Sequence, residues 1–196
     1  MTEQASNAAF GAARIRRLCA VAMGICLAAG ALLAQESGTA KGKGVIERIG
    51  PSESEMVNFA PRFSWAYREG TGSKAFTWVV LTEKKPPLES WTAAKDRAEA
   101  RRAWCEKETT PWVAVKLDAK MKVDLYFLCP ANGAVNTEMV STANGLDSVV
   151  VKLEPKSGPR LKGTLRTGQG NCPTASGADA YCTPTGDYGF DAPLSK

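Results

Sequence analysis

Four cysteines outside the N-terminal region, Cys105, Cys129, Cys172 and Cys182, are the first residues whose chemistry the sequence invites. Their spacing contains no C-x-x-C pair, and the chain has no histidine at all. Zinc binding and thioredoxin-like exchange both lack their usual ligands or spacing, so paired disulfides are the expected chemistry. Four cysteines allow three connectivities. The preferred set is Cys105–Cys129, which would pin a helix end to a strand end, and Cys172–Cys182, which would close a loop with nine residues between its cysteines. The missing histidine also removes the commonest general base and the usual partner of a serine or cysteine nucleophile. No G-x-S-x-G elbow, S-x-x-K pair or Walker A loop occurs. Gly168-Gln169-Gly170 is followed by Asn-Cys-Pro and does not join a strand to a helix, so it is not a dinucleotide loop.

Carboxylates remain as possible catalysts, because a glycosidase needs only two. Glu83, Glu89, Asp118, Asp124, Asp187 and Asp191 qualify by type, but nothing in the sequence sets two of them opposite each other. Asp179, Asp187 and Asp191 surround the last loop without the dense ligand spacing of a calcium loop. No catalytic residue, metal ligand or cofactor site is therefore assigned. The aromatics offer a different possibility. Five Trp is many for 196 residues, and most aromatics on strand faces belong to a core. Trp65 and Tyr67 fall on one face of one strand, and they are the pair expected to form a binding platform if any aromatic pair does.

The elements that must position these residues are mostly strands. Apolar residues recur at every second position in Val113, Val115, Leu117, then Val123, Leu125, Phe127, then Val149, Val151, Leu153 and Leu161, Leu165. Upstream, Arg62–Arg68 puts Phe63, Trp65 and Tyr67 on one side, and Ala75–Thr82 is apolar on both faces, as a central strand is. The Gly-rich turn between them predicts a hairpin. Pro86 and Pro87 end that strand. Ser90–Lys107 reads as one helix, capped by Ser90, with three-to-four spacing through Trp91, Ala94, Ala98, Arg101/Arg102 and Cys105 and a small apolar face suited to packing against a sheet edge. Its charged side carries Lys95, Arg97, Arg101 and Arg102 among Asp96 and Glu99, a mixed pattern that reads as solvated. Turns follow at Asp118–Met121, Pro130–Gly133, Asn144-Gly145 and Pro155–Pro159, with a short edge strand at Thr137–Ser141 and a last strand at Asp187–Ala192. Seven or eight strands and one helix predict a mainly β domain. An antiparallel β-sandwich with the helix on one side is the leading expectation, and a small β-barrel is the alternative.

The N-terminus has its own logic. Arg14, Arg16 and Arg17 precede an uncharged apolar run, Leu18–Ala34, that ends in small residues. That is the anatomy of a signal peptide over residues 1–34, with cleavage options after Ala31 or Ala34. An uncleaved membrane anchor is the alternative. Removing the segment takes away three Arg and one Glu, so the net charge falls from +5 to +3. That charge is spread along the chain rather than clustered, which argues against nucleic acid as a partner. Residues 35–59 are rich in Gly, Ser, Lys and Glu and read as a flexible linker, with the domain itself at 60–196. For Lys41 and Lys43 in that linker a solvated tether is the leading reading, and contact with an acidic surface is the alternative.

The strand TWVVLTEKKPP, the helical insert, the two hairpins, the L-x-G-x-L strand at Leu161–Leu165 and the terminal YGFDAPL resemble a β domain of exported bacterial proteins with no assigned activity. The resemblance spans Arg62–Leu194 and rests on core and turn positions. It implies an exported bacterial β-sandwich, brings no catalytic residues with it, and does not include the four cysteines. The expectation from all of this is a periplasmic or secreted, non-enzymatic structural or binding domain whose partner is a protein or glycan of the cell envelope. The alternatives are a carboxylate-based hydrolase, such as a carbohydrate-active enzyme, and a membrane-anchored accessory subunit.

Overall fold

A computed structural model describes residues 37–49, 54–129, 137–140, 149–155, 158–168, 180–181 and 185–195. The signal-like segment 1–34 and the expected Cys172–Cys182 pair lie outside the described residues. The elements in chain order are β1 (Gly38–Ile49), β2 (Ser54–Phe59), β3 (Phe63–Glu69), β4 (Phe76–Thr82), α1 (Leu88–Ala93), α2 (Arg97–Lys107), β5 (Trp112–Leu117), β6 (Val123–Cys129), β7 (Thr137–Val140), β8 (Val149–Leu153), β9 (Arg160–Thr167), β10 (Ala180–Tyr181) and β11 (Thr185–Ser195).

The alternating segments pair into one continuous sheet in the order β7-β6-β5-β4-β3-β1-β11-β9-β8, with β2 and β10 also on β1. Neighbours are antiparallel except where the end of β11 runs parallel to β3 at Leu194 and Ser195. The far strand β8 comes back beside β6, so the sheet is nearly closed on itself. The mainly antiparallel β fold is as the sequence predicts. Its pairing follows the barrel alternative, because one unbroken path of strands replaces two separate sheets.

Strand alternation sorts the side chains. Ala66, Val79, Leu81, Val115, Leu128, Leu165 and Phe190 fill the inside of the curved sheet. The opposite faces of β3 to β6 carry a second cluster, with Trp65, Tyr67, Trp78, Trp112 and Phe127 covered by Leu88, Trp91 and Cys105 from the helices. Strand β4 is thus buried on both faces, as its apolar run predicts.

Two expectations need correction. Within the linker expected at 35–59, Gly38–Ile49 and Ser54–Phe59 are instead strands. Strand β1 pairs with β11 from Thr39 to Val45, and with β2 from Gly44 to Ile49. Its glycines serve close approach rather than flexibility: a Cβ on Gly44 would lie 1.7 Å from the Tyr188 hydroxyl. The single helix is instead broken. Segment α1 stops at Ala93, Ala94 is extended, and Asp96 caps α2 by accepting from the amides of Ala98 (2.8 Å) and Glu99 (3.0 Å). Ser90 does not cap; its hydroxyl donates to the Pro87 carbonyl at 2.8 Å. The D-x-x-E run at Asp96–Glu99 is the signal for the true helix start.

Candidate functional site

The Cys105–Cys129 disulfide forms between α2 and the end of β6, with Cα atoms 5.6 Å apart. It ties the helical cover to the sheet at the site expected from sequence. Trp65 and Tyr67 do share a strand face, with ring centroids 4.7 Å apart. They are not a platform, however, because both are 0% exposed. Trp91 of α1 lies against Trp65 at 5.3 Å and against Trp112 at 5.6 Å. The pair therefore holds the helices down, and the sequence could not reveal which strand face the helices would cover.

Arg101 completes this cover. Its guanidinium sits 3.9 Å over the Trp78 ring, donates to the Tyr67 hydroxyl and lies 3.8 Å from Glu69. The Trp78 indole N–H donates to Glu69 at 3.1 Å. Burial pushes the Tyr67 hydroxyl well above its ordinary range, so it remains a neutral acceptor for the cation. The charged helix face read as solvated in fact turns its Arg101 inward.

The carboxylates considered for hydrolysis are dispersed. Glu83 accepts from the Ala60 amide at 2.7 Å, and Asp118 holds the β5–β6 turn by accepting from Lys120 and Lys122 at 2.8 Å. Asp124 pairs with Lys116 at 2.7 Å and Asp187 with Arg166 at 2.6 Å. Asp191 pairs with Arg160 and with Lys162 at 2.9 Å. Hydrogen bonding to Arg160 holds the Asp191 carboxyl below its ordinary value, whereas a general acid needs the opposite shift. The Glu89 side chain and Asp179 lie outside what is described. No group of three or more metal-ligating side chains occurs among the described residues.

The remaining surface is the outer face of β1, β11, β9 and β8, which no helix among the described residues covers. Register places Lys41 opposite Gly189, Gly189 opposite Thr164, and Thr164 opposite Lys152, in one row across four strands. The next row runs Lys43, Asp187, Arg166 and Val150. An open groove of about 660 Å³ lies over these rows, lined by Lys41, Gly42, Val150, Lys152, Thr164, Arg166 and Gly189, among others. A second hollow of about 430 Å³ adjoins it and shares Lys41, Thr164 and Gly189. Gly189 leaves room for the Lys41 stem to lie across it: a Cβ there would meet that stem at 3.2 Å. Lys41, Lys43 and Lys152 are exposed and make no ion pair among the described residues, so the face is cationic in excess of its Arg166–Asp187 pair.

Of these residues, the sequence singled out Lys41 and Lys43 as possible contacts for an acidic surface and Asp187 as a candidate carboxylate. The others sit at outward positions of strands whose inward residues drew attention, and only the pairing register aligns them. Among the described residues no helix is long and apolar enough to cross a membrane. No family model matches this chain, and neither a curated protein nor a solved structure matches it.

Proposed function

We propose that this chain is an exported, non-enzymatic binding domain that holds an acidic envelope or extracellular partner against the bare outer face of β1, β11, β9 and β8. One observation carries this. The barrel-like sheet has two outer sides; helices seal one, and the other presents an open groove lined by Lys41 and Lys152, which make no ion pair among the described residues. Surface of that kind favours anionic partners and speeds their encounter. The Cys105–Cys129 disulfide and the signal-like residues 1–34 support an oxidising, non-cytoplasmic setting. Burial of Trp65 and Tyr67 takes support away from a stacked neutral glycan and leaves charge as the basis of recognition.

Site-specific photo-cross-linking in the native host tests the reading. A photoreactive residue at position 164, in the groove, is expected to capture a defined partner, and Lys152→Glu is expected to abolish the adduct. The same residue at position 74, on the exposed turn between β3 and β4, is the control. Identical adducts from both positions, or adducts indifferent to Lys152→Glu, would refute the assignment of this face.

A further inference from the structure

Lys41 does not stand straight up from the bare face; its stem lies across the neighbouring strand. A Cβ on Gly189 would meet the Lys41 Cε at 3.2 Å, Cγ at 3.4 Å and Cδ at 3.9 Å. Three stem carbons over one residue give the side chain a direction: it leaves β1, crosses β11 at Gly189 and carries its ammonium toward β9. Gly189 pairs with Lys41 on one side and with Thr164 on the other. An extended lysine stem reaches ~6 Å, more than the ~4.8 Å between neighbouring strands, so the charge lies past Gly189 and within one spacing of Thr164. Lys152 pairs with Thr164 from the far side, on β8. The exposed Thr164 therefore lies between two ammonium groups, neither of which makes an ion pair among the described residues.

We infer that this row is one compact oxyanion site, which rests on the anionic partner proposed above. Lys41 and Lys152 close from either side on a single dianionic tetrahedral group, and the Thr164 hydroxyl donates to it from the floor. Gly189 is a positioning residue, because its missing side chain gives the Lys41 stem its track. Two cations and a neutral donor match a phosphate monoester, which carries about two negative charges and three terminal oxygens. A carboxylate has one charge and leaves one lysine unmatched. Asp187, the acidic side chain lining the groove, already accepts from Arg166 at 2.6 Å and does not compete for the lysines. Free phosphate esters and phosphate-bearing lipid headgroups share this chemistry.

The test is an NMR titration of the isotopically labelled chain, read at the Gly189 and Thr164 amides at fixed ionic strength. The probes are inorganic phosphate, acetate and polyglutamate, with sedimentation on phosphatidylcholine vesicles with and without phosphatidic acid. At about pH 8 phosphate is expected to bind at least about tenfold more tightly than acetate, and to weaken toward about pH 5 as it gains its second proton. Lys41→Gln and Lys152→Gln are each expected to weaken it by about tenfold, while Lys74→Gln, on an exposed turn, leaves it unchanged. Gly189→Val keeps every charge and suits a strand, yet is expected to weaken phosphate about as much as Lys41→Gln by displacing the stem. Gly189→Ala, the smaller intrusion, is expected to give a partial loss. Sedimentation with phosphatidic acid vesicles, reversed by free phosphate, supports the site and assigns it to a lipid headgroup; phosphate binding without sedimentation supports it and assigns a soluble ester. Equal affinity for acetate and phosphate, or phosphate binding indifferent to both Gly189 variants, overturns the inference. Polyglutamate bound through Lys41 and Lys152 with no response to phosphate also overturns it, but leaves the anionic-partner reading standing. No response to any probe overturns both.

Discussion

Replacing Arg101 with Ala should destabilise the chain far more than a surface arginine would. The guanidinium lies 3.9 Å over Trp78, and the residue is 5% exposed. A desolvated cation–π contact of this kind is worth about 2 kcal/mol. The charged hydrogen bond to the Tyr67 hydroxyl adds about 1.5 kcal/mol, and truncation leaves that buried hydroxyl without its donor. Attraction to Glu69 at 3.8 Å adds little, because the Glu69 side chain keeps 22% exposure. Freeing the arginine rotamers returns up to about 2 kcal/mol. The net expected loss is about 2–3 kcal/mol. Urea unfolding followed by tryptophan fluorescence, with the disulfide intact, measures it as a lower midpoint at unchanged slope. Arg101→Met should recover roughly 1 kcal/mol by restoring the stem's packing without the charge. A double-mutant cycle with Tyr67→Phe should give a coupling of about 1 kcal/mol. A loss of under about 0.5 kcal/mol for Arg101→Ala, or no coupling to Tyr67, would show that the helices are held by apolar packing alone.

Two further outcomes follow from the same structure. The Cys105–Cys129 bond closes a sequence separation of 24, so replacing both cysteines with Ser should cost about 3.5 kcal/mol in the chain-entropy picture, measured by the same unfolding experiment. The Asp191 carboxyl has its folded pKa depressed by Arg160, so its stabilising effect is fully present above its ordinary value of 3.8 and is lost as pH falls from there through the folded value. Asp191→Asn should therefore lower stability at neutral pH and flatten the acid limb of a stability-versus-pH curve; an unchanged acid limb would remove Asp191 from the account.

Periodicity decided much of this protein before any fold was known. The alternating runs of β5, β6, β8 and β9 are strands, the doubly apolar Phe76–Thr82 is central, and the Asp118–Met121 turn joins a hairpin. These features depend on neighbours close in sequence, so local pattern suffices. The glycine-rich strand β1 was not legible that way, because its glycines answer to Tyr188 and Asp187, more than a hundred residues later in the chain. Gly-Lys repeats look like a tether until their partner strand is known. The inward turn of Arg101 and the burial of Trp65 and Tyr67 had the same origin, since helix spacing names a face but not what it will meet.

The candidate site shows the division most clearly. Sequence supplied the types of Lys41, Lys152, Thr164 and Gly189, and alternation put Lys152, Thr164 and Gly189, but not Lys41, on the outward side of a strand. Only the tertiary pairing of β1 with β11, β11 with β9, and β9 with β8 brought them into one row. A strand's register depends on non-local hydrogen bonds and on inward packing, and a slip of one residue would turn every one of these side chains to the other face. The outward chemistry of this surface was therefore fixed by the core beneath it.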